Sequence, residues 1–423
     1  MAKILIVYYY REYPPRANLY DNIYAFQRYS RHHCFYLNVF WRRFPWYLRQ
    51  IDFDLIIFHK TFLGFRFHPR AFLKVLRRLA PLKRFPGRKI AFPQDEYIYT
   101  SILCDFINEF GIDQVFSVAP ETEWPKIYPT VDFDRVAFHQ VLTGYLDETT
   151  LQTIDRLGRV KPRDLDLGYR ANPAFFLGRF GLFKSRIAEV FRNEAEAAGL
   201  TTDILVSNRF KDFFWGDAWY EFMLRCKYTI SVEGGASLLD PEGEHREAIA
   251  RYLSQHPDAA FDEVEAHCFP GQDGALDLRA LSPRHLEACA TRTCQILVAG
   301  DYNGILQPEM HYLELKQDFS NLAEIVAAIK SDTRRQKLTE RAYQDIVASG
   351  RYTYRSFVEA VSEKLDLPEP APPLTSRERL ICRWMAAADK LSWRKAAAYT
   401  RMKNLLPDAA LVRLQRLRQA LQG

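Results

Sequence analysis

No stretch of this 423-residue chain approaches the roughly 18 consecutive apolar residues of a membrane-spanning helix. The apolar run near the N-terminus, Ile4 to Val7 with Tyr8, Tyr9 and Tyr10 behind it, is too short for a signal peptide and lacks a cleavage site. It reads as a first β-strand. Cysteine is sparse and odd in number, seven scattered residues, which points to a reduced, cytoplasmic protein. No Cys/His set has zinc spacing: Cys289 and Cys294 stand apart, and His32, His33 and Cys34 are contiguous. Phosphate-loop and Gly-x-Gly-x-x-Gly signatures are missing. Acidic residues are nearly missing from the front, where residues 1–90 hold 4 Asp/Glu against 18 Lys/Arg.

What is present describes a large α/β protein. The chain is 48% apolar and 14% aromatic, enough for two buried cores and a tail, so disorder is not the default. The net charge of +6 conceals an asymmetry: residues 376–423 carry 11 Lys/Arg and 3 Asp/Glu, so a basic front and a basic tail flank an acidic middle. Such faces meet something anionic, whether nucleic acid, an anionic membrane surface or a phosphate-bearing lipid acceptor; ordinary solvated charge is the plain alternative.

Strand-like runs at 3–8, 34–40, 54–59, 89–93, 114–118 and 136–141 alternate with helical patterns such as 19–29, 69–79 and 98–110. That alternation predicts a parallel, doubly wound sheet. A helix at 145–160 leaves this domain, and Pro162 breaks the chain. The pattern restarts at Leu165, with strands at 165–169, 203–206, 228–232, 294–298 and 310–315 and helices at 184–198, 219–226 and 321–330. The expected domains are 1–160, 161–366 with an insertion near 237–281, and a Pro-rich linker with a basic helical tail over 367–423.

Ligands of open α/β sheets bind beyond the carboxyl ends of strands, so residues that follow strands carry the weight. Arg170, Gly178, Arg179 and Lys184 follow the strand at 165–169; a helix start with nearby cations makes a pyrophosphate site. Glu233, Gly234 and Gly235 follow the strand at 228–232, where two glycines let a backbone approach a ligand or simply turn. Ser282 is a natural N-cap, Pro283 suits the first helical position, and Arg284 follows. Glu287, one turn in, can accept hydrogen bonds from a ribose diol, or sit there for electrostatic reasons alone. Gly300, Asp301, Tyr302, Asn303 and Gly304 form a polar loop after the strand ending at Val298, one that lines the nucleotide or simply turns.

Taken together, "LGYR…GR…K", the strand into Glu233-Gly234-Gly235, "SPRHLEACATRTCQILVAG" and "YNGILQPEMHYLELKQDFSNLAEIV" resemble the C-terminal domain of GT-B glycosyltransferases. The likeness is to the family 1 and family 4-like members found with bacterial surface polysaccharides, and it runs from about Leu165 to Lys330. It implies two Rossmann-like domains facing a cleft, with a C-terminal helical tail. It also implies transfer, of hexosyltransferase type, from a nucleotide sugar to a surface glycan or lipid-linked acceptor, as in lipopolysaccharide synthesis. Arg170 or Arg179 with Lys184 would hold the donor diphosphate, and Glu287 the ribose. Gly234, Gly235, Arg284, Asn303 and Gly304 would complete the donor site, and Glu233 would face the transferred sugar. The insertion separates Glu233 from Glu287 more widely than the family pattern has it.

The front domain should supply any base that takes the acceptor's proton. Asp95 and Glu96 follow one strand and His59 another. A metal-dependent GT-A enzyme would carry Asp-x-Asp after a strand. Here Asp52/Asp54, Asp132/Asp134 and Asp164/Asp166 each precede one and read as strand-entry residues. No metal or cofactor is expected. The rival readings are a GT-B-like epimerase or phosphorylase and a nucleic-acid-binding protein that uses the basic front and tail. In the tail, Leu380, Ile381, Trp384, Met385, Ala388 and Leu391 recur at helical spacing among arginines and lysines, and Leu411, Leu414, Leu417 and Leu421 repeat the pattern. Such helices lie in a membrane interface, with Trp384 and Trp393 as anchors, or dock on the front domain. The expected location is cytoplasmic, with peripheral contact at the inner face of a membrane under the first of these.

Overall fold

The computed structural model describes residues 1–159, 162–367 and 373–405. The prolines at 368, 370 and 372 and the leucine repeat from Leu411 onward lie outside the described residues.

The first sheet holds β1 (Lys3–Tyr8), β2 (His33–Asn38), β3 (Leu55–Phe58), β4 (Arg88–Ala91), β5 (Gln114–Ser117) and β6 (Ala137–Gln140). Their order is β2-β1-β3-β4-β5-β6, every pair parallel. Period-two alternation sends Leu5 and Val7 to one apolar layer and Ile4, Ile6 and Tyr8 to the other, so both faces are buried, as a parallel sheet requires. The second sheet holds β7 (Leu165–Ala171), β8 (Thr202–Val206), β9 (Cys226–Ser231), β12 (Cys294–Val298) and β13 (Tyr312–Leu315), in the order β13-β12-β9-β7-β8, again all parallel. Between β9 and β12, the strands β10 (Gly234–Ala236) and β11 (Leu278–Ala280) form an antiparallel ribbon.

Counted along the chain, both sheets share one winding order: the second strand lies outside the first, and the third returns to its other side. The chain therefore reverses direction across each sheet between its first and third strands, and that reversal opens a crevice at their carboxyl ends. The two crevices face one another. Asp54, just before β3, accepts from the Lys3 amide at 2.7 Å, whereas Asp166 lies within β7 and accepts from the Thr201 amide at 2.9 Å.

Three segments cross between the sheets. The helix Glu148–Gly158 leads from the first to the second. The helix Tyr354–Leu365 returns and packs on Ala17–Tyr29, its Tyr354, Phe357, Val358 and Val361 sharing an apolar layer with Ile4 and Ile6. This amphipathic helix, which lies within the expected second domain of 161–366, is buried against the first sheet. The inserted segment, with helices Glu244–Gln255 and Phe261–Cys268, also reaches the front domain: Tyr99 N–H donates to the Asp240 carbonyl at 2.9 Å, and Asp240 N–H to the Tyr97 carbonyl at 2.7 Å.

The tail helix Ser376–Leu405 docks along β2 and covers that edge of the sheet. Ile381 and Met385 join the apolar layer of Leu5 and Val7. Trp393 sits among Tyr8, Tyr10, Tyr20 and Tyr24 and donates from Nε1 to Tyr24 Oη at 2.6 Å. It is a packing residue, not a membrane anchor. Asp389, also buried, accepts from the hydroxyls of Tyr8 and Tyr24, each at 2.5 Å.

Candidate active site between the two sheets

A cavity of about 680 Å³ lies where the two crevices meet, a volume typical of small-molecule sites. Its walls come from the carboxyl ends of strands in both sheets: Arg16, Lys60, Gln94, Asp95 and Tyr97 from the front; Arg170, Ser207, Val232, Glu233 and Gly234 from the second.

The second sheet supplies positive charge and a helix start. Gly178, at φ +68°, precedes the helix Arg179–Ala197; a Cβ there would fall 2.2 Å from the Asp273 carboxylate, so no other residue fits. Lys184 follows in the second turn and lines the cavity. Burial, reinforced by the Arg284 charge and opposed by Asp95, brings its ammonium down to about 8. Arg284 lines the same wall and donates to the Arg170 carbonyl at 2.8 Å. Arg170 also lines it, its guanidinium held by Asp203 at 2.6 Å and stacked over Phe222.

Glu287 stands one turn into the helix Pro283–Ala290 that Ser282 opens. Trp219 Nε1 donates to it at 2.7 Å. Burial raises its carboxyl to about 7 against the pull of that bond and of Arg284. His285, beside it, is buried and neutral: its Nδ1 accepts from the Ser282 amide, and burial with the Arg284 charge lowers its imidazole to about 3.

Several expected donor residues stand elsewhere. Arg179 turns to the insertion, pairing with Glu265 at 2.8 Å, Asp273 at 3.0 Å and Asp262 at 3.5 Å, so it is the acidic insertion that claims this cation. Gly235, at φ +122°, pairs with Arg279 in the ribbon, where a Cβ would strike the Leu278 carbonyl. Asn303 accepts from the Leu281 amide at 2.5 Å and Gly304 faces open space; both lie off the cavity wall and serve the turn after β12. Glu233 does line the cavity, and its Oε1 accepts from the Tyr302 amide at 2.7 Å. Burial raises its carboxyl, that bond and Arg279 opposing.

The front domain separates two adjacent carboxylates. Glu96 is wholly buried and accepts from Ser117 Oγ at 2.5 Å, the Val118 amide at 2.8 Å and Tyr128 Oη. It braces the loop after β5 and does not reach the cavity. His59 is likewise buried; Nδ1 accepts from the Thr61 amide at 3.1 Å and caps a single helical turn, and burial beside Lys60 keeps the ring neutral. Asp95, in contrast, lines the cavity from a left-handed backbone at φ +56°. Arg66 holds that conformation: wholly buried, it donates to the carbonyls of Leu63 at 3.0 Å, Gln94 at 3.1 Å, Asp95 at 2.5 Å and Ile98 at 3.2 Å. Such strain persists only where surroundings enforce it, and it often marks a functional position. Asp95 is exposed to the cavity, but desolvation by the surrounding cleft walls raises its carboxyl, and the charges of Arg66, Lys184 and Lys60 pull it back. The Lys60 ammonium, pressed down to about 8 by burial, is supported by Asp95 in turn.

Sequence reasoning passed over Arg66, Arg16 and the aromatic segment after β8. Phe213, Phe214 and Trp219 line the cavity, and Arg16 stacks over Phe213 and Trp215. The aromatic density of residues 213–219, directly after a strand, was the available signal. Among the described residues, no group of three or more His, Cys, Asp or Glu side chains is placed to hold a metal ion.

Two Rossmann-like domains closing on a cleft from the carboxyl ends of their sheets define the GT-B fold, and the chain has it. An α-glucosyltransferase solved with UDP and a 13-mer DNA matches 86% of this chain and 99% of its own, at 9% identity and a TM-score of 0.53. Anabaena HepE, solved with UDP and glucose, matches over 86% of this chain and 100% of its own, at 10% identity and a TM-score of 0.43. TarM aligns with 76% of this chain, which spans 57% of TarM's length, at 10% identity and a TM-score of 0.41. No protein-family model matches the chain. No curated protein sequence matches it either.

Proposed function

We propose that the protein is a glycosyltransferase that moves a sugar from a nucleoside-diphosphate donor to an acceptor hydroxyl, by direct displacement with inversion. The observation that carries this reading is the meeting of Asp95, from the front domain, with Lys184 and Arg284, from the second, in one cavity. Lys184, Arg284 and Arg170 offer charge to a diphosphate at the end of β7, Glu287 accepts from the ribose diol, and Phe213, Phe214 and Trp219 give the base an aromatic wall. The acceptor oxygen attacks the anomeric carbon while Asp95 takes its proton. The bond from that carbon to the diphosphate breaks, and the cations stabilise the leaving group. Asp95 is open to the cavity yet enclosed by both cleft walls, and that enclosure raises its affinity for protons, which suits the role of base. An α-glucosyltransferase of the same fold, solved with UDP, supports a uridine donor. The basic front domain supports an anionic acceptor such as a lipid-linked glycan.

The test is incubation with a panel of labelled nucleotide sugars and measurement of nucleoside diphosphate release, with and without candidate acceptors. Release from one donor, stimulated by an acceptor and giving the opposite anomer, is the expected result. A panel in which no donor is bound or consumed overturns the reading.

A further inference from the structure

The tail helix leaves one face uncovered. Over its 30 residues, about 45 Å long, Ile381, Met385, Asp389, Ser392, Ala396 and Thr400 point to the front domain. Leu380, Trp384, Leu391, Met402 and Leu405 point the other way, within about 80° of helix circumference, and all are exposed: Trp384 at 51% and Leu405 at 84%. Trp46, 71% exposed, extends this row, because its neighbour Tyr47 meets Trp384 edge-on at 6.0 Å. Solvated helices of soluble proteins rarely carry such a row without a partner.

The charges flanking the row are of one sign. Arg383, Lys390, Arg394 and Arg401 lie along one flank, and Arg377 and Lys395 along the other, all exposed. The helix has two acidic residues, and neither faces outward: Asp389 is buried between Tyr8 and Tyr24, and Glu378 pairs with Lys3 at 3.0 Å. Exposed Arg43 and Arg49 flank Trp46.

We propose that this face is a docking surface for an anionic lipid bilayer, with the apolar row entering the interface and the cations meeting phosphate headgroups. A second copy of the chain would bring two cationic faces together. Nucleic acid would engage the cations and leave the tryptophans and leucines in water. The inner face of the helix also reaches the segment that leads into the cleft, Tyr13 N–H donating to Thr400 Oγ1 at 2.9 Å, three residues before cavity-lining Arg16. The docking surface stands on these observations; only its use, presenting a lipid-linked acceptor, rests on the transferase reading.

The experiment is sedimentation of the full chain with phosphatidylcholine vesicles, with and without phosphatidylglycerol, at low and high salt. A triple variant, Arg383→Glu, Lys390→Glu and Arg394→Glu, and a double variant, Trp46→Ser and Trp384→Ser, run beside it. All three positions of the first and both of the second are exposed, so melting temperature should stay unchanged and serves as the folding control. Salt-sensitive binding to the anionic vesicles alone is expected, reduced in the triple variant on the order of a hundredfold or more and in the double variant by about tenfold or more. Failure of the full chain to sediment at low salt overturns the proposal. So does equal sedimentation of the folded variants, which would move the contact to another surface, or binding to DNA with none to vesicles. Nucleotide-sugar binding, measured on the same samples, reports separately on the transferase reading.

Discussion

The two sheets wind in the same order, yet they bring different things to the cleft: both walls carry cations, but the front one adds a strained carboxylate. The second places cations at a helix start, Lys184 and Arg284, with Glu287 behind them. The first places a single strained carboxylate, Asp95, on a loop gripped from below by Arg66. Equivalent crevices at equivalent strand ends thus hold different chemistry, because what fills a crevice is set by the loops and not by the winding. The comparison assigns binding to one half and proton transfer to the other, and that division can be broken.

The largest effect falls on Asp95. Asp95→Asn keeps the loop's size and removes the base, so kcat should fall about 10²–10⁴-fold in the donor-release assay. Retention of near-normal kcat would strip the front domain of its chemical role. Its neighbour supplies the contrast: Glu96→Ala leaves Ser117, Tyr128 and the Val118 amide without their buried acceptor. It should cost about 2–4 kcal/mol of stability, read by denaturant unfolding. In whatever fraction stays folded, turnover should exceed that of Asp95→Asn.

That pair shows where the sequence was legible. Both carboxylates follow β4 and are equivalent on paper; a left-handed residue and a guanidinium some thirty positions earlier, neither visible in the pattern, decide which one faces the cleft. Glu287 and Lys184 were readable because Ser282-Pro283 announces a helix start and a cation after β7 has few other uses. Arg179 misled, since the helix begins at Arg179 itself rather than at Lys184, and its first turn points to acids of an insertion whose fold the pattern left open. The strands were plain because parallel strands buried on both faces are short apolar runs between helices. The tail's register was not, since its inward face is as much polar as apolar, with Asp389, Ser392 and Thr400 among its buried residues.

Smaller effects sharpen the second half of the comparison. Glu287→Gln retains the shape and the bond from Trp219 but loses the charge-assisted contact, so affinity for a nucleoside diphosphate should drop about tenfold by calorimetry. Affinity should also depend on pH in the directions the lysine and the glutamate set. The Lys184 ammonium, at about 8, is needed charged and the Glu287 carboxylate, at about 7, ionised, so binding should be best between about pH 7 and 8, weaken above pH 8 by up to about tenfold per pH unit, and weaken below pH 7 as Glu287 takes a proton. In Lys184→Arg that alkaline loss should vanish, since a guanidinium stays charged. A flat profile in the wild type would remove Lys184 from the diphosphate site.

The division of labour is tested most directly by one calorimetric titration at pH 7. The nucleoside diphosphate of the donor that the panel identifies is titrated into the wild type, Asp95→Asn and Lys184→Ala. The account expects the wild type and Asp95→Asn to bind alike within about threefold, and Lys184→Ala to bind about 10–100-fold more weakly. Unchanged affinity in a folded Lys184→Ala, or a loss confined to Asp95→Asn, would contradict it.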